Sequence, residues 1–165
     1  MRPFRRRGDE LVARLEPAEA RILALLLDQL EQLLSAEVDD VTGDPVIARL
    51  LPAGHRSDPE IAADYREMTE SALRSGKADD LATVRASLPS DGGTVRLDPE
   101  QATAWLRTSN DLRLALGTRL DISEETEPPE EVADEEDQQL AVYYWLTAVQ
   151  GSLVDALVAS RSGRR

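Results

Sequence analysis

The sequence contains no cysteine and only one histidine among its 165 residues. The lack of cysteine excludes disulfide bonds, thiolate catalysis, cysteine-type zinc sites and thiol redox sensing within this chain. The one histidine, His55, cannot form a histidine-rich metal site, and its polar surroundings at 54–58 are typical of a solvated loop. We therefore expect no metal site and no cofactor.

Aromatic residues are also scarce, at 4% of the chain. The core must then come from Leu, Ala, Val and Ile, a composition that favours helices packed on helices. Hydrophobic residues make up 41% and charged residues 31%, which is typical of a globular protein. The composition predicts a mainly α fold and a single helical domain over residues 1–165.

The sequence has no long uninterrupted apolar run. Its most apolar region, residues 140–159, includes Gln150, Ser152 and Asp155, which indicates a buried helix and not a membrane span. No apolar segment follows the basic residues at the start, so no signal peptide is expected. We expect a cytoplasmic protein without a membrane partner.

The net charge of −13 is concentrated in one segment. Residues 121–137 hold ten acidic residues, no basic residue, and the pair Pro128 and Pro129. This composition predicts a flexible, self-repelling acidic linker. The overall charge argues against direct nucleic-acid binding. A short basic tail, residues 161–165, is expected to be disordered.

The N-terminus is predicted to form a β-hairpin. A turn at Gly8 and Asp9 precedes 11–15, where apolar and polar residues alternate. The residues before this turn include a basic cluster, formed by Arg2, Arg5, Arg6 and Arg7. We interpret this cluster as a solvated edge strand. The alternative is an arm that binds nucleic acid or an acidic partner.

Two short stretches of the sequence resemble each other. Residues 13–20 and 95–102 both contain Arg-Leu, an acid and a proline, followed by a helix-forming segment. We predict that strands near 11–15 and 94–97 pair in a small edge sheet. Asp98 and Gln101 have the spacing of a capping box, so a helix is expected to begin at Pro99.

The periodicity of apolar residues predicts a bundle of about five to six helices. Gly76 is interpreted as a helix stop that divides one of these regions into two helices. The expected helices are 17–36, 45–51, about 59–75, 78–87, 99 to about 120, and 138 to about 160.

The central helix includes 104–121 and bears two polar residues, Asn110 and Arg113, beside its apolar stripe. These residues either fix the packing of neighbouring helices or form a binding surface for a protein partner. Trp105 and Trp145 are expected in the core. Gly117 indicates either a close helix approach or the end of the helix.

No motif of known catalysis is present. The sequence lacks a glycine-rich phosphate loop, a nucleophile elbow and metal-ligand spacing. The abundant carboxylates are mainly in the acidic linker, where no pocket is expected to hold them. We expect a protein that is not an enzyme. The alternative is an unrecognised enzyme with a pocket between the two tryptophan-bearing helices, near Asn110 and Arg113.

The chain resembles an actinobacterial family of unknown function that includes the AosR-like oxidative stress regulators and is usually encoded near the Clp protease adaptor. Its most specific matching motif combines tryptophan, Asn-Asp and Arg-Leu-Ala-Leu-Gly. The candidate family-motif and interaction residues are Trp105, Asn110, Asp111, Arg113, Gly117, Tyr143, Trp145 and Gln150. Weaker matches are Phe4, Gly8, 15–17, Glu19, 44–45, 49–52, 92–93, 120–121 and 146–147.

The resemblance implies a small helical protein that regulates transcription under oxidative stress through an alternative sigma factor. A sigma factor or RNA polymerase is therefore the expected partner, and a homo-oligomer is possible. The thiol switch associated with this family cannot operate here because the chain has no cysteine. The family's gene neighbourhood implies the alternative function, an adaptor or assembly factor in Clp proteolysis.

Overall fold

Five helices and a three-stranded sheet form the described part of the chain. The computed structural model describes residues 1–35, 44–51 and 59–162, without the side chains of 59–67 and 160–162. The elements are β1 (Arg2–Arg7), β2 (Glu10–Leu15), α1 (Pro17–Ser35), α2 (Pro45–Leu50), α3 (Pro59–Ser87), β3 (Gly93–Leu97), α4 (Pro99–Arg119) and α5 (Glu135–Ser162). The predicted mainly α fold with a small sheet is confirmed. His55 and residues 163–165 lie outside the described residues.

The sheet is antiparallel and has the strand order β1-β2-β3. Gly8 occupies the hairpin turn with a φ of 63°, a conformation that glycine adopts without steric cost. Leu11 pairs with Leu97 and Leu15 pairs with Gly93, so the predicted pairing of β3 with the hairpin is confirmed. The inner face of the sheet is formed by Phe4, Leu11, Ala13, Leu15, Val95 and Leu97, all buried.

Helix α4 begins with the predicted capping box. The Asp98 side chain accepts a hydrogen bond from the Gln101 backbone N–H at 2.7 Å, and Gln101 Oε1 accepts one from the Asp98 N–H at 2.9 Å. Two backbone donors that a helix start leaves unpaired are thereby satisfied. The local sequence therefore determines where this helix begins.

Helix α1 begins against the turn that precedes β3. A Cβ atom on Gly92 would lie 2.7 Å from the backbone nitrogen of Pro17 and 2.9 Å from the carbonyl oxygen of Leu15. Gly92 also has a φ of 78°. Only glycine suits this position, because a side chain there would collide with backbone that cannot rotate away.

The prediction that Gly76 ends a helix is wrong. Helix α3 continues from Pro59 to Ser87 through this residue. A glycine inside a helix costs about 1 kcal/mol relative to alanine. Beyond it, Leu81 and Val84 are buried, and burial of each such side chain contributes about 1.5–3 kcal/mol. Tertiary packing therefore outweighs the local preference.

The predicted bounds of the acidic linker and the last helix also need correction. Helix α5 begins at Glu135, so the last three residues of the predicted linker, 135–137, are helical. Asp134 accepts a hydrogen bond from the backbone N–H of Asp137 at 2.8 Å, and acidic side chains suit the positive end of the helix dipole. The helix ends at Ser162, which is two residues beyond the predicted end and inside the predicted tail.

Helix α4 lies at the centre and packs against α2, α3 and α5, while the sheet packs mainly on α5. Trp105 of α4 is 1% exposed and meets the Phe4 ring edge-on, with centroids 5.6 Å apart. Its indole N–H donates to Ser87 Oγ at 2.8 Å. Trp105 thus joins the sheet, α3 and α4 in one core. No described helix combines the length and apolar character needed to cross a membrane.

Candidate functional site

Four of the predicted residues meet where α4 packs on α5. One guanidinium nitrogen of Arg113 donates to Gln150 Oε1, and Gln150 Nε2 donates to Asn110 Oδ1 at 3.3 Å. The Arg113 guanidinium carbon lies 5.6 Å from the centre of the Tyr143 ring, within range of a cation–π contact. All four are half-buried. The acceptor for Arg113 is therefore a side-chain amide.

Gly117 lies beside this cluster and combines both roles considered for it. A Cβ atom there would be 3.0 Å from Tyr143 Cε2, so α5 approaches α4 closely at this point. The helix also ends just beyond, because Asp121 has a φ of 52° and the Ile122 N–H donates to the Gly117 carbonyl at 2.9 Å. This pattern is a Schellman motif, with Asp121 in the position usually taken by glycine.

Asp111 points to the opposite side of α4. It is 6% exposed, and its two carboxylate oxygens lie 2.8 and 2.9 Å from Nζ of Lys77, the only lysine in the chain. Burial raises the pKa of the Asp111 carboxyl group, and the Lys77 charge opposes this effect without cancelling it. Asp80 adds a smaller repulsion that also raises this pKa.

A cleft of about 590 Å³ lies between α3 and α4 beside this ion pair. It includes Asn110 but not Arg113, which faces α5. Asp80, which also lines the cleft, forms an ion pair with Arg107 at 2.8 Å. Two acids of the cleft, Asp80 and Asp111, are therefore already neutralised by ion pairs. The lining residues contain no hydroxyl, thiol or imidazole group that an acid could activate as a nucleophile.

The second tryptophan is placed differently from the first. Trp145 of α5 is half-buried and packs against the core. Its indole nitrogen is buried and has no hydrogen-bond acceptor among the described residues. The structure therefore places Trp105, but not Trp145, fully inside the core.

An apolar groove of about 590 Å³ separates α1 from α5. Its α1 wall carries Ile22, Leu25 and Leu26, and Leu25 is 59% exposed. Leu116 of α4 and Val142 of α5 contribute further apolar surface. The wide apolar face of α1 could have indicated this groove, but sequence alone does not show which part of the face stays uncovered.

The acidic segment, residues 121–134 as the structure bounds it, reaches this groove through Val132, which is 55% exposed. The Tyr144 hydroxyl donates to the Thr126 carbonyl at 2.7 Å, and Thr126 Oγ1 accepts from the Ser123 N–H at 3.0 Å. The segment is therefore held against α5 at Thr126.

The outer face of the sheet is strongly basic. The predicted cluster contributes Arg2, Arg5 and Arg7, while Arg6 turns towards α5 and donates to the Ala159 carbonyl at 3.1 Å. Two arginines that were not assigned to this cluster complete the face, Arg14 of β2 and Arg96 of β3. Strand alternation could have identified both, once the order of the strands was known.

Comparison with known proteins agrees with the resemblance seen in the sequence. A family model described as "Domain of unknown function (DUF2017)" matches residues 1–157. The chain belongs to this family. Two relatives, from Mycobacterium tuberculosis and Mycobacterium bovis, are named "Oxidative stress regulator AosR". Each is 31% identical to this chain over 94% of its length and 86% of the relative's length. No solved structure matches the chain.

Proposed function

We propose that this DUF2017 protein is a cytoplasmic regulator of the oxidative stress response that acts by binding a transcription protein. The names and 31% identity of its mycobacterial relatives support the regulatory role. A sigma factor or RNA polymerase is the partner proposed. Any signal must reach this chain without a thiol of its own, because it contains no cysteine.

The apolar groove between α1 and α5 carries the proposal of protein binding. Leu25 and Val132 line this groove and expose 59% and 55% of their surfaces, and the buried Leu116 lines it as well. Exposed aliphatic side chains that line one groove are typical of a protein-binding surface, whereas isolated ones are not. The groove can therefore take the apolar stripe of an amphipathic helix.

The charge beside the groove specifies which helix would fit. Val132 is surrounded in the chain by Glu130, Glu131, Asp134 and Glu135, all of them exposed. These acids outnumber Arg119, the basic residue that lines the groove, so a helix with basic residues beside its apolar stripe would be attracted, and an acidic one repelled. We assign the groove to a basic amphipathic helix of the partner. Proteins that bind DNA carry such basic surfaces because they neutralise phosphates.

The cleft between α3 and α4 does not favour catalysis. Asp111 is the acid there with a raised pKa, and Lys77 already engages both of its carboxylate oxygens. The lining of the cleft also offers no hydroxyl, thiol or imidazole group that this acid could activate. We therefore propose no enzymatic activity for this cleft.

The test is co-purification of the tagged full-length chain from its native host, followed by binding measurements with the purified partner. Leu25→Glu places a charge in the groove, and Val158→Glu is its control because Val158 is 57% exposed outside the groove. We expect the wild type and Val158→Glu to recover a sigma factor or RNA polymerase. Leu25→Glu should weaken binding to that purified partner by at least about tenfold.

Two results would overturn this proposal. Recovery of Clp subunits without a sigma factor or RNA polymerase would favour the adaptor function instead. Equal binding of a sigma factor by Leu25→Glu and the wild type would remove the groove from the interaction. A high-salt wash separates the electrostatic contribution from the apolar one. Salt screens the attraction between the acidic residues and a basic helix, but it does not weaken the apolar contact in the groove.

A further inference from the structure

The outer face of the three-stranded sheet concentrates positive charge in a protein whose net charge is −13. Arg2, Arg5, Arg7, Arg14 and Arg96 line a shallow depression of about 520 Å³. One of these five arginines, Arg96, forms an ion pair with Glu10 at 3.3 Å. Among the described residues, no carboxylate lies within ion-pair distance of the other four arginines.

The strand register places two like charges directly opposite each other at one position, whereas Arg7 lies opposite the acidic Glu10. Arg2 of β1 pairs with Arg14 of β2, which in turn pairs with Thr94 of β3. In the next row, Arg5 and Arg96 flank Val12 on either side. Directly opposed like charges destabilise a sheet. A polar residue such as threonine would pair there without this repulsion, so the arrangement indicates a ligand that supplies negative charge.

Guanidinium groups on a β-sheet face suit an anion that is itself extended. Arg5 and Arg7 point to the same side of β1, and such alternate residues repeat at about 6.6 Å along a strand. Alternate acidic side chains of an extended peptide have the same repeat. Val12 lies between Arg5 and Arg96, and Thr94 lies beside Arg14. Both line the depression and offer a narrow surface for the short peptide residues between the acidic ones.

Two features favour an acidic peptide over a nucleic acid. The residues that line the face include no aromatic side chain on which a base could stack. The rest of the chain is acidic, so a polyanion that extends beyond the sheet would be repelled, whereas a short peptide would remain on it.

We propose that the outer face of the sheet binds an extended acidic segment of a protein, with acidic residues at alternate positions. This surface is distinct from the groove between α1 and α5, since the two share no lining residue. A negative result here would therefore leave the groove proposal standing, and the reverse also holds.

The test is fluorescence anisotropy with the full-length chain and a short fluorescein-labelled peptide that alternates glutamate and threonine. Arg5→Glu/Arg14→Glu reverses two charges on the face. Arg21→Glu/Arg49→Glu is the matched control, because these two arginines are exposed on α1 and α2. We expect the first variant to bind at least about tenfold more weakly than the wild type and the control to bind as the wild type does. Binding should also weaken steeply as NaCl is added.

Arg14→Thr separates a binding role from a structural one. It removes the repulsion with Arg2 and leaves a residue that strands favour, so its Tm should rise while its peptide affinity falls. A lower Tm would show that Arg14 serves the fold and would overturn the proposal. So would the absence of saturable peptide binding, or an equal loss in the Arg21/Arg49 control.

Duplex DNA, labelled and measured in the same way, tests the other class of anion. We expect it to bind more weakly than the peptide and without the same dependence on Arg5 and Arg14. Tighter binding of the duplex, lost in Arg5→Glu/Arg14→Glu, would assign this face to nucleic acid and overturn the proposal.

Discussion

Helix α4 meets α3 and α5 through polar contacts of different kinds. On the α3 side, the carboxylate of Asp111 is buried against the charged amine of Lys77. On the α5 side, the charge of Arg113 meets a neutral amide, Gln150, and the face of the Tyr143 ring. The first contact joins opposite charges, whereas the second joins a charge to dipoles and a ring.

The difference predicts how each interface responds to change. Removal of one member of a buried ion pair leaves an uncompensated charge, and the cost is large. Removal of a neutral acceptor beside a half-buried arginine costs less, because the guanidinium keeps its aromatic contact and some access to water. The α3 side should therefore be sensitive to pH and to single substitutions, and the α5 side to the close packing at Gly117.

The largest effect is expected from Lys77→Met, which leaves Asp111 buried without a counter-ion. We expect a loss of about 3 kcal/mol in the free energy of unfolding near neutral pH, measured by urea denaturation. Arg107→Met is the control on the same pair of helices. Arg107 is 61% exposed, so breaking its pair with Asp80 should cost less than about 1 kcal/mol.

The double variant Lys77→Met/Asp111→Leu sharpens this prediction. Replacing both members of the pair by apolar residues should recover most of the lost stability, because no buried charge remains. If the double variant were as unstable as Lys77→Met, the cost would lie in packing and not in the unpaired carboxylate.

The second prediction concerns the pH dependence of the same variant. The folded-state pKa of Asp111 is raised by burial, so the folded protein binds this proton more tightly than the unfolded chain does. The contribution of the protonated Asp111 carboxyl group to stability is therefore present at low pH. It is lost as the pH rises from the unfolded-state pKa through the raised folded-state pKa. Lys77→Met strengthens this effect by removing the opposing charge.

The stability deficit of Lys77→Met should accordingly grow as the pH is raised from the ordinary aspartate pKa towards neutrality. Urea titrations of the variant and the wild type across this range provide the measurement. Adding Asp111→Asn to Lys77→Met should remove the pH dependence of the variant's stability deficit, because position 111 then carries no titratable group. A deficit that stays constant with pH would show that Asp111 does not titrate in this window.

The third prediction tests the close approach on the α5 side. Gly117→Val should lower the free energy of unfolding by about 2 kcal/mol, because the new side chain meets the Tyr143 ring 3.0 Å away. Gly76→Val is the control, since a Cβ atom on Gly76 would meet nothing within 4 Å. It should be neutral or slightly stabilising, as glycine is the poorer helix former. Equal effects at the two positions would contradict a specific contact at Gly117.

The smallest effect is expected from Gln150→Glu, which gives the α5 side an ion pair like that of the α3 side. Arg113 would then face a carboxylate, and we expect a gain of up to about 1 kcal/mol near neutral pH. Asn110 can turn its amide to donate to the new group. Because Arg113 would lower the pKa of this glutamate, the gain should be lost as the pH falls through that lowered pKa, measured by urea denaturation.

Much of the secondary structure could be predicted because its determinants are local. The capping box of α4 spans three residues, and the hairpin turn depends on Gly8. The alternation in β2 and the echo of its sequence near β3 also indicated which strands pair. The stop at Gly76 was wrong because a local helix preference of about 1 kcal/mol is weaker than the burial of residues after it.

The candidate site could be predicted only in part. Asn110, Arg113 and Gly117 share one helix, so their proximity follows from helical spacing. Their contacts with Tyr143 and Gln150 follow from the packing of α5, which no local pattern specifies. The family resemblance named these residues together, but it did not indicate which of them touch.

By itself, the sequence determined the helical class, the small sheet, the absence of thiol chemistry and the start of α4. Only the tertiary structure decided that Lys77 pairs with Asp111 across 34 positions, that α1 and α5 leave a groove open, and that three strands gather five arginines on one face. Local hydrogen bonds and composition act within a few residues. Charge pairs, grooves and sheet faces depend on residues far apart in the chain, and packing alone brings these together.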